Sequence, residues 1–267
     1  MNLETKAKIT WCPGCGNFGI LNSLKMAVGE LVKEGKARVE DFVLVAGIGC
    51  HGKIVDYVNL NSFISLHGRA VPTATGIKLA NPKLKVIAFA GDGDAYDEGI
   101  SHLIHAAKRN TDITLIVHDN SVFALTTGQF TATSPKGFKS KSSPKGSIEK
   151  PLDPLRVLLS AGATFVARGY VGKGDHLKTL IKEAVKHKGF SVVDVLQPCV
   201  AFNNTYSYYS RRVYELKNHN EQSVDEAYKK LSEWNGRIPI GIFYRKEQKT
   251  FEEECLEQVS RKMGKKL

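Results

Sequence analysis

With 267 residues, 42% of them hydrophobic and 24% charged, the chain is long enough to bury a sizeable core and has the composition of a soluble globular protein. No apolar run reaches bilayer-spanning length and the opening MNLETKAKIT is too polar for a secretory signal, so no membrane partner and a cytoplasmic location are expected. The formal charge of +11 is concentrated in Lys136–Lys150, with five lysines, and in the terminal RKMGKKL; neither interleaves aromatics with its basic residues, so no nucleic-acid partner is expected.

In chain order, the first feature is WCPGCGNFG (11–19), in which Cys12 and Cys15 flank Pro13 and Gly14. It leads into 17–35, which reads as a helix. Short apolar runs then alternate with helical stretches. Strands are expected at 42–49, 84–91, 112–120, 163–170 and 190–198, and helices at 73–82, 97–110, 154–162 and 175–189. Strands this uniformly apolar are buried on both faces. The alternation therefore predicts an α/β fold with a mostly parallel sheet, helices on both faces and right-handed crossovers. One domain is expected over 1–245, followed by a basic helical tail at 246–267.

In such a sheet ligands gather outside the carboxyl ends of the strands. The strand ends bring Gly49-Cys50, Gly91-Asp92-Gly93-Asp94, Asp119-Asn120 and Pro198-Cys199 to one edge. The glycines beside Asp92 permit a tight turn and close approach to a bulky anion. Asp92 and Asn120 supply hard oxygen ligands, which suit Mg²⁺ sharing its coordination with phosphate oxygens. This is a pattern for a magnesium diphosphate. Asp94 and Asp97 suit either a supporting position behind the ligands or a helix N-terminus. Five cysteines, an odd number in a reducing compartment, argue against a disulfide framework. Cys12, Cys15, Cys50 and Cys199 together suit zinc or an iron–sulfur cluster, and spacing does not separate the two. A thioredoxin-like redox CxxC carries no distant cysteine pair. Cys255, in acidic FEEECLEQ, reads as a surface or helix-packing thiol.

The stretch from GDGDAYDEG to HDNSV resembles the thiamine-diphosphate motif, which opens with GDG and closes about thirty residues later on asparagine. The resemblance implies Asp92, Asn120 and the Val122 carbonyl as magnesium ligands; the usual NN is Asp119-Asn120 here. From about residue 11 to 245 the chain is similar to the β subunit of 2-oxoacid:ferredoxin oxidoreductases. WCPGCGNFG, GIGCHGK, LHGRAVPTATGIKLANP, GDGDAYDEG, HDNSVFALTTGQ and LQPCVAFN carry that likeness in order.

The resemblance implies the pyrophosphate-binding type of thiamine fold, with thiamine diphosphate, Mg²⁺ and one [4Fe–4S] cluster as cofactors. Cys12, Cys15, Cys50 and Cys199 would hold the cluster. Ile48, Gly49, Cys50, His67, Gly91, Asp92, Gly93, Asp94, Asn120, Val122, Leu125 and Thr126 would line the thiamine site. Ile48 would support the cofactor's bent shape, Lys53 would face the substrate carboxylate, and His67 would approach the diphosphate or the reacting centre. The implied reaction is thiamine-dependent oxidative decarboxylation of a 2-oxoacid to acyl-CoA and CO₂, with electrons passing through the cluster to ferredoxin. The implied partners are an α (or αγ) subunit that supplies the missing activating glutamate, ferredoxin, coenzyme A and the 2-oxoacid.

Some relatives carry a small residue at His51 and a lysine at Thr127, which leaves substrate preference open. LTTGQ and FNNTYSYYSRRVYEL are most similar to 2-oxoglutarate or broad-range members. The Lys136–Lys150 loop is a candidate ferredoxin guide, with a solvated loop as the alternative. Competing readings are a non-oxidative thiamine decarboxylase or synthase half, which leaves four cysteines unexplained, and a zinc-stabilised α/β binding module, which leaves GDG and Asn120 unexplained.

Overall fold

The computed structural model describes residues 2–234 and 236–263. The strands are β1 (Phe42–Ala46), β2 (Asn61–Ile64), β3 (Lys85–Gly91), β4 (Thr114–Asp119), β5 (Phe165–Tyr170), β6 (Ser191–Leu196), β7 (Val213–Glu215) and β8 (Ile238–Arg245). They form one sheet in the order β2-β1-β3-β4-β6-β5-β8-β7. The pairs from β2 across to β5 are parallel, and β8 joins β5 antiparallel while running parallel to β7.

The helices are α1 (Asn17–Lys33), α2 (Ala70–Ala80), α3 (Ile100–Arg109), α4 (Pro154–Ser160), α5 (Gly174–Lys186), α6 (Tyr206–Ser210), α7 (Val224–Leu231) and α8 (Phe251–Met263). In β3, Ile87 and Phe89 pack with Leu24 of α1 and Ile181 of α5. Val86, Ala88 and Ala90 point to the other face, where Val71 of α2, Leu103 of α3, Leu158 of α4 and Leu231 of α7 cover them. Because alternate residues must face opposite layers, a strand between two helical layers has to be apolar throughout. That is why KVIAFAG and TLIVHD read so clearly as strands.

Local chemistry sets the helix ends. Asp153 caps α4 by accepting from Arg156 N, with Pro154 in the first turn. Ser223 caps α7 by accepting from Glu226 N. α3 ends on Asn110 in the left-handed conformation.

The five expected strands correspond to β1, β3, β4, β5 and β6. The stretch expected as one helix over 97–110 divides instead: a π-helical turn (Gly93–Glu98) precedes α3. Three strands lack an uninterrupted apolar run. β2 is a short edge strand whose four residues are all exposed, and β7 has only three residues. β8 carries Pro239 and Gly241 within its run, both weak strand formers, and is bulged where its register against β5 shifts. The first turn of α8 packs back onto the body: Asp112 N donates to Glu252 Oε2 and Phe251 N to Asn110 O. The end of the expected tail, 264–267, lies outside the described residues.

β1 connects outward to β2, whereas β3 connects inward to β4, so the order in which strands are added to the sheet reverses between β1 and β3. The crevice at such a reversal is where open parallel sheets hold their ligands.

Candidate active site

The β1 loop enters that crevice as Gly47-Ile48-Gly49 and turns into a short 3₁₀ segment, Cys50–Asp56. Gly49 has φ +154°, which disfavours any side chain. A Cβ on Gly47 would lie 1.8 Å from Asp94 Oδ2, so only glycine lets the two loops pack. Asp94 ties three loops together. Its Oδ1 accepts from Gly68 N at 2.7 Å and Ile48 N at 3.4 Å. His67 Nδ1 stands 3.4 Å from Oδ1, and His51 Nε2 stands 3.4 Å from Oδ2. Asp94 thus turns its carboxylate inward onto loop amides and histidines.

Asp92 lies beside it, 1% exposed. Its Oδ2 accepts from Thr131 Oγ1 at 2.5 Å and Thr133 Oγ1 at 2.9 Å, while Asn120 N approaches Oδ1 at 3.4 Å. Thr133 Oγ1 is also 2.9 Å from Asp119 Oδ1. One hydroxyl proton cannot serve both carboxylates, so the pair is short of positive charge. Burial, then the neighbouring Asp119, pushes the Asp92 pKa well above the carboxylate range. A divalent cation would offset this. Asn120 is held by two bonds: its Oδ1 accepts from Val122 N at 3.1 Å and its Nδ2 donates to Gln197 Oε1 at 3.2 Å.

Ile48, Gly49, Cys50, His67, Gly91, Asp92, Gly93, Asp94, Asn120, Val122, Leu125 and Thr126 all line one cleft of about 90 Å³. His51, His118, Phe123 and Ala124 complete it. Lys53 is exposed and is not part of its wall. His118 Nδ1 meets Asn17 Oδ1 at 2.8 Å, while its Nε2 has no partner. Burial and then His51 lower its pKa well below the usual histidine value, which keeps the ring neutral.

The thiols gather at one end of this cleft. Cys15 N donates to Cys12 O at 3.0 Å, closing the CxxC turn, and Trp11 Nε1 donates to Cys50 O at 2.6 Å, pinning that turn to the β1 loop. Cys199 pairs through its backbone with Asn203, whose Nδ2 donates to Asn120 O at 2.9 Å. The Cys15 pKa is pushed up to about 11, first by burial and then by the charges of Cys199, Cys50 and Cys12. All four cysteines are therefore electrostatic neighbours. Among the described residues, no three His, Cys, Asp or Glu groups are spaced to hold a single metal ion.

Three structurally important residues give no chemical signal in the sequence. Thr131 and Thr133, two apart in a turn closed by Ser134 N donating to Thr131 O, both face Asp92. Gln197 is 1% exposed and spans both ends of the site. Its Nε2 lies 3.7 Å from Cys15 Sγ and its Oε1 accepts from Asn120. Its place two residues before Cys199 was the only available hint.

The chain resembles known proteins along most of its length. The model of the thiamine pyrophosphate enzyme C-terminal TPP-binding domain matches residues 47–195, and that of the C-terminal part of the pyruvate ferredoxin oxidoreductase beta subunit matches residues 199–259. The chain is 45% identical over 265 residues to the 2-oxoacid:ferredoxin oxidoreductase subunit beta of Saccharolobus solfataricus, covering 93% of this chain and 86% of that protein. It is 44% identical over 189 residues to the 2-oxoglutarate synthase subunit KorB of Archaeoglobus fulgidus, covering 71% and 69%. Among solved structures, the 2-oxoglutarate:ferredoxin oxidoreductase of Magnetococcus marinus, with 2-oxoglutarate, coenzyme A and succinyl-CoA bound, superposes with a TM-score of 0.94 at 33% identity, over 99% of this chain and 90% of that chain. A thiamine-site fold between β1 and β6, completed by a ferredoxin-oxidoreductase C-terminal segment, makes this chain a member of the 2-oxoacid:ferredoxin oxidoreductase β-subunit family.

Proposed function

We propose that this β subunit binds thiamine diphosphate with Mg²⁺ and one [4Fe–4S] cluster, and that with an α subunit it oxidatively decarboxylates a 2-oxoacid to acyl-CoA and CO₂, passing the electrons to ferredoxin. The observation that carries the proposal is Gln197, a single buried amide contacting Asn120 of the diphosphate end and Cys15 of the thiol end. The two cofactor positions share a wall, which suits electron transfer between them.

The residues present fit both groups. Asp92, the Asn120 amide oxygen and the Val122 carbonyl offer hard ligands beside a buried carboxylate pair that lacks a cation. Four thiols that sense one another offer the soft ligands an iron–sulfur cluster takes. Bound thiamine diphosphate supplies the electron sink that decarboxylation requires. The protein's own part is to hold and orient. Ile48, 37% exposed at the cleft, presents an apolar support. His67, tethered toward Asp94, presents its other ring nitrogen as a hydrogen-bonding group. Lys53, exposed beside Cys50, offers an ammonium to a substrate carboxylate.

A cleft of about 90 Å³ is far smaller than the several hundred Å³ of a typical cofactor site. The chain therefore supplies the diphosphate end, while the remainder is closed by an α subunit, which also brings the activating glutamate; Glu98 is exposed and does not line the cleft. Relatives named for 2-oxoacids and for 2-oxoglutarate favour 2-oxoglutarate or a broad range as substrate. The loop at 136–150 presents all five of its lysines to solvent and suits an acidic ferredoxin. Among the described residues no helix is long and apolar enough to cross a membrane, and we place the enzyme in the cytoplasm.

Anaerobic co-expression with the α subunit tests the proposal. Brown protein absorbing near about 400 nm, reducing ferredoxin with 2-oxoglutarate and coenzyme A, is the expected result. Colourless protein, or full turnover by the isolated β subunit, would overturn it. Reversing the charge of two loop lysines should flatten the dependence of ferredoxin reduction on ionic strength; an unchanged slope would remove the loop from the proposal.

A further inference from the structure

A second cavity, of about 510 Å³, lies behind the cleft. Asp119 and Thr133 line it, and Thr133 also donates to Asp92, so this residue forms the partition between the two spaces. The volume falls in the range of small-molecule sites. Its charge is unbalanced. Asp119, Asp153 and Asp194 all line it, and Arg168 is the buried cation whose charge each of them senses. Arg168 is held between aromatic faces, 4.8 Å from the Trp234 centroid and 5.3 Å from that of Phe243. Arg156, at the mouth, is shared with Asp153 at 3.9 Å and with the Tyr228 ring.

Asp194 decides what this space can take. It is 3% exposed. Its Oδ2 accepts from Tyr96 Oη at 2.8 Å, but its Oδ1 is buried with no partner. Thr205 Oγ1, on the same lining, has no partner either. An unpaired buried carboxylate oxygen is costly unless something donates to it. Tyr209, Trp234, Leu152 and Leu231 line the rest of the space and offer apolar and aromatic surface. With Asp194 ionised the lining would carry three carboxylates against Arg168 and the exposed Arg156 that faces Asp153, so an anionic ligand would add to the excess negative charge and a neutral one would leave it standing. An ammonium would donate to Asp194 Oδ1, offset the excess negative charge and gain from the aromatic walls.

We propose that this cavity is a binding site for a small organic amine, with the ammonium on Asp194 and the hydrocarbon body toward Leu152 and Leu231. Burial raises the Asp194 pKa to about 8, so binding of the ammonium draws a proton off the carboxyl group and tightens as pH rises from about 6 to about 8. The other titratable groups facing Asp194 are Asp119, Asp153, Arg168, Tyr96 and Tyr209.

The test is calorimetric titration of the assembled αβ complex, using n-butylammonium, n-butanol and butyrate as probes. Butylammonium should bind at least about tenfold more tightly than the other two, with the stated pH dependence and with proton release. Asp194→Asn should weaken it at least about tenfold. Leu152→Trp, which fills the apolar end and leaves Asp194 in place, should abolish binding without altering the unfolding midpoint, and it decides the matter if Asp194→Asn fails to fold. Equal affinity for the three probes, undiminished binding by either variant, or no butylammonium binding to the assembled complex would overturn the proposal. None of these readouts depends on turnover, so the assignment of the reaction stands or falls separately.

Discussion

The two edges of the sheet both carry buried polar groups but treat them differently. At the amino edge most are paired with one another. Asn110 Oδ1 accepts from Thr164 Oγ1 and Phe190 N, and its Nδ2 donates to Lys249 O. Lys78 Nζ reaches Asp112 Oδ2 at 2.6 Å and Leu84 O at 2.7 Å. Thr111 Oγ1, Glu252 Oε1 and Arg245 Nε are exceptions. At the carboxyl edge His118 Nε2 is buried without a partner, and His51 Nε2 and His67 Nδ1 each stand 3.4 Å from the Asp94 carboxylate without a hydrogen bond, all around one cleft. Folding normally satisfies buried polar atoms. The amino edge therefore accounts for stability, and the carboxyl edge is arranged for groups the chain does not itself contain.

Substitutions at the carboxyl edge should damage function while sparing the fold, and those at the amino edge the reverse. The largest effect is expected from Cys199→Ser. Removing one thiolate should eliminate absorption near about 400 nm and lower ferredoxin reduction by more than about 100-fold, since even losing a group behind a metal ligand costs up to that much. Retained colour and turnover would break the comparison. Asp92→Asn comes next. Thiamine diphosphate affinity in the presence of Mg²⁺ should fall by about 100-fold, measured from the near-ultraviolet circular dichroism of the bound cofactor. The cofactor-free protein should unfold at the same temperature or higher, because a carboxylate whose charge is disfavoured by burial is replaced by a neutral amide. Such a gain in stability against a loss in function marks a site built for its ligand.

Gln197→Leu probes the wall between the two proposed cofactor positions and should have an intermediate effect. Asn120 loses an anchor and Cys15 a donor, so cofactor affinity and ferredoxin-coupled turnover should each fall by about 10-fold. A change confined to one of them would show that the wall serves only one cofactor.

The ranking also shows what could be read before folding. Cys199 and Asp92 were legible because thiols and carboxylates after apolar strands announce their chemistry, and the parallel-sheet rule puts strand ends together. Gln197, Thr131 and Thr133 were not, because amides and hydroxyls are common and only geometry aims these three at Asp92, Asn120 and Cys15. The same division holds for the fold. β3 and β4 are buried on both sides and unmistakable, whereas β8 hides behind Pro239 and Gly241, tolerated because β5 and β7 hold it in register.

The smallest effect is expected at the amino edge and concerns pH. His187 Nε2 lies 2.9 Å from Thr164 Oγ1, whose own proton is directed to Asn110 Oδ1 at 2.6 Å. The imidazole must therefore donate from Nε2, which leaves Nδ1 as the position for a second proton. Burial first, then the nearby Arg245, lowers its pKa from 6.5 to about 4. Between those values the unfolded chain binds the proton and the folded one does not, so stability rises with pH in that window. His187 thus contributes stability that is present above about pH 6.5 and lost as pH falls toward about 4. The bound is about 3 kcal/mol, reduced to about 1–2 by water at the open edge of the ring. His187→Gln keeps an N–H donor for Thr164 but cannot titrate. Its thermal midpoint should drop less steeply than wild type from about pH 6.5 to about pH 4.5, while cofactor affinity at neutral pH stays unchanged. Parallel profiles, or a change in cofactor affinity, would show that the two edges are not separable in this way.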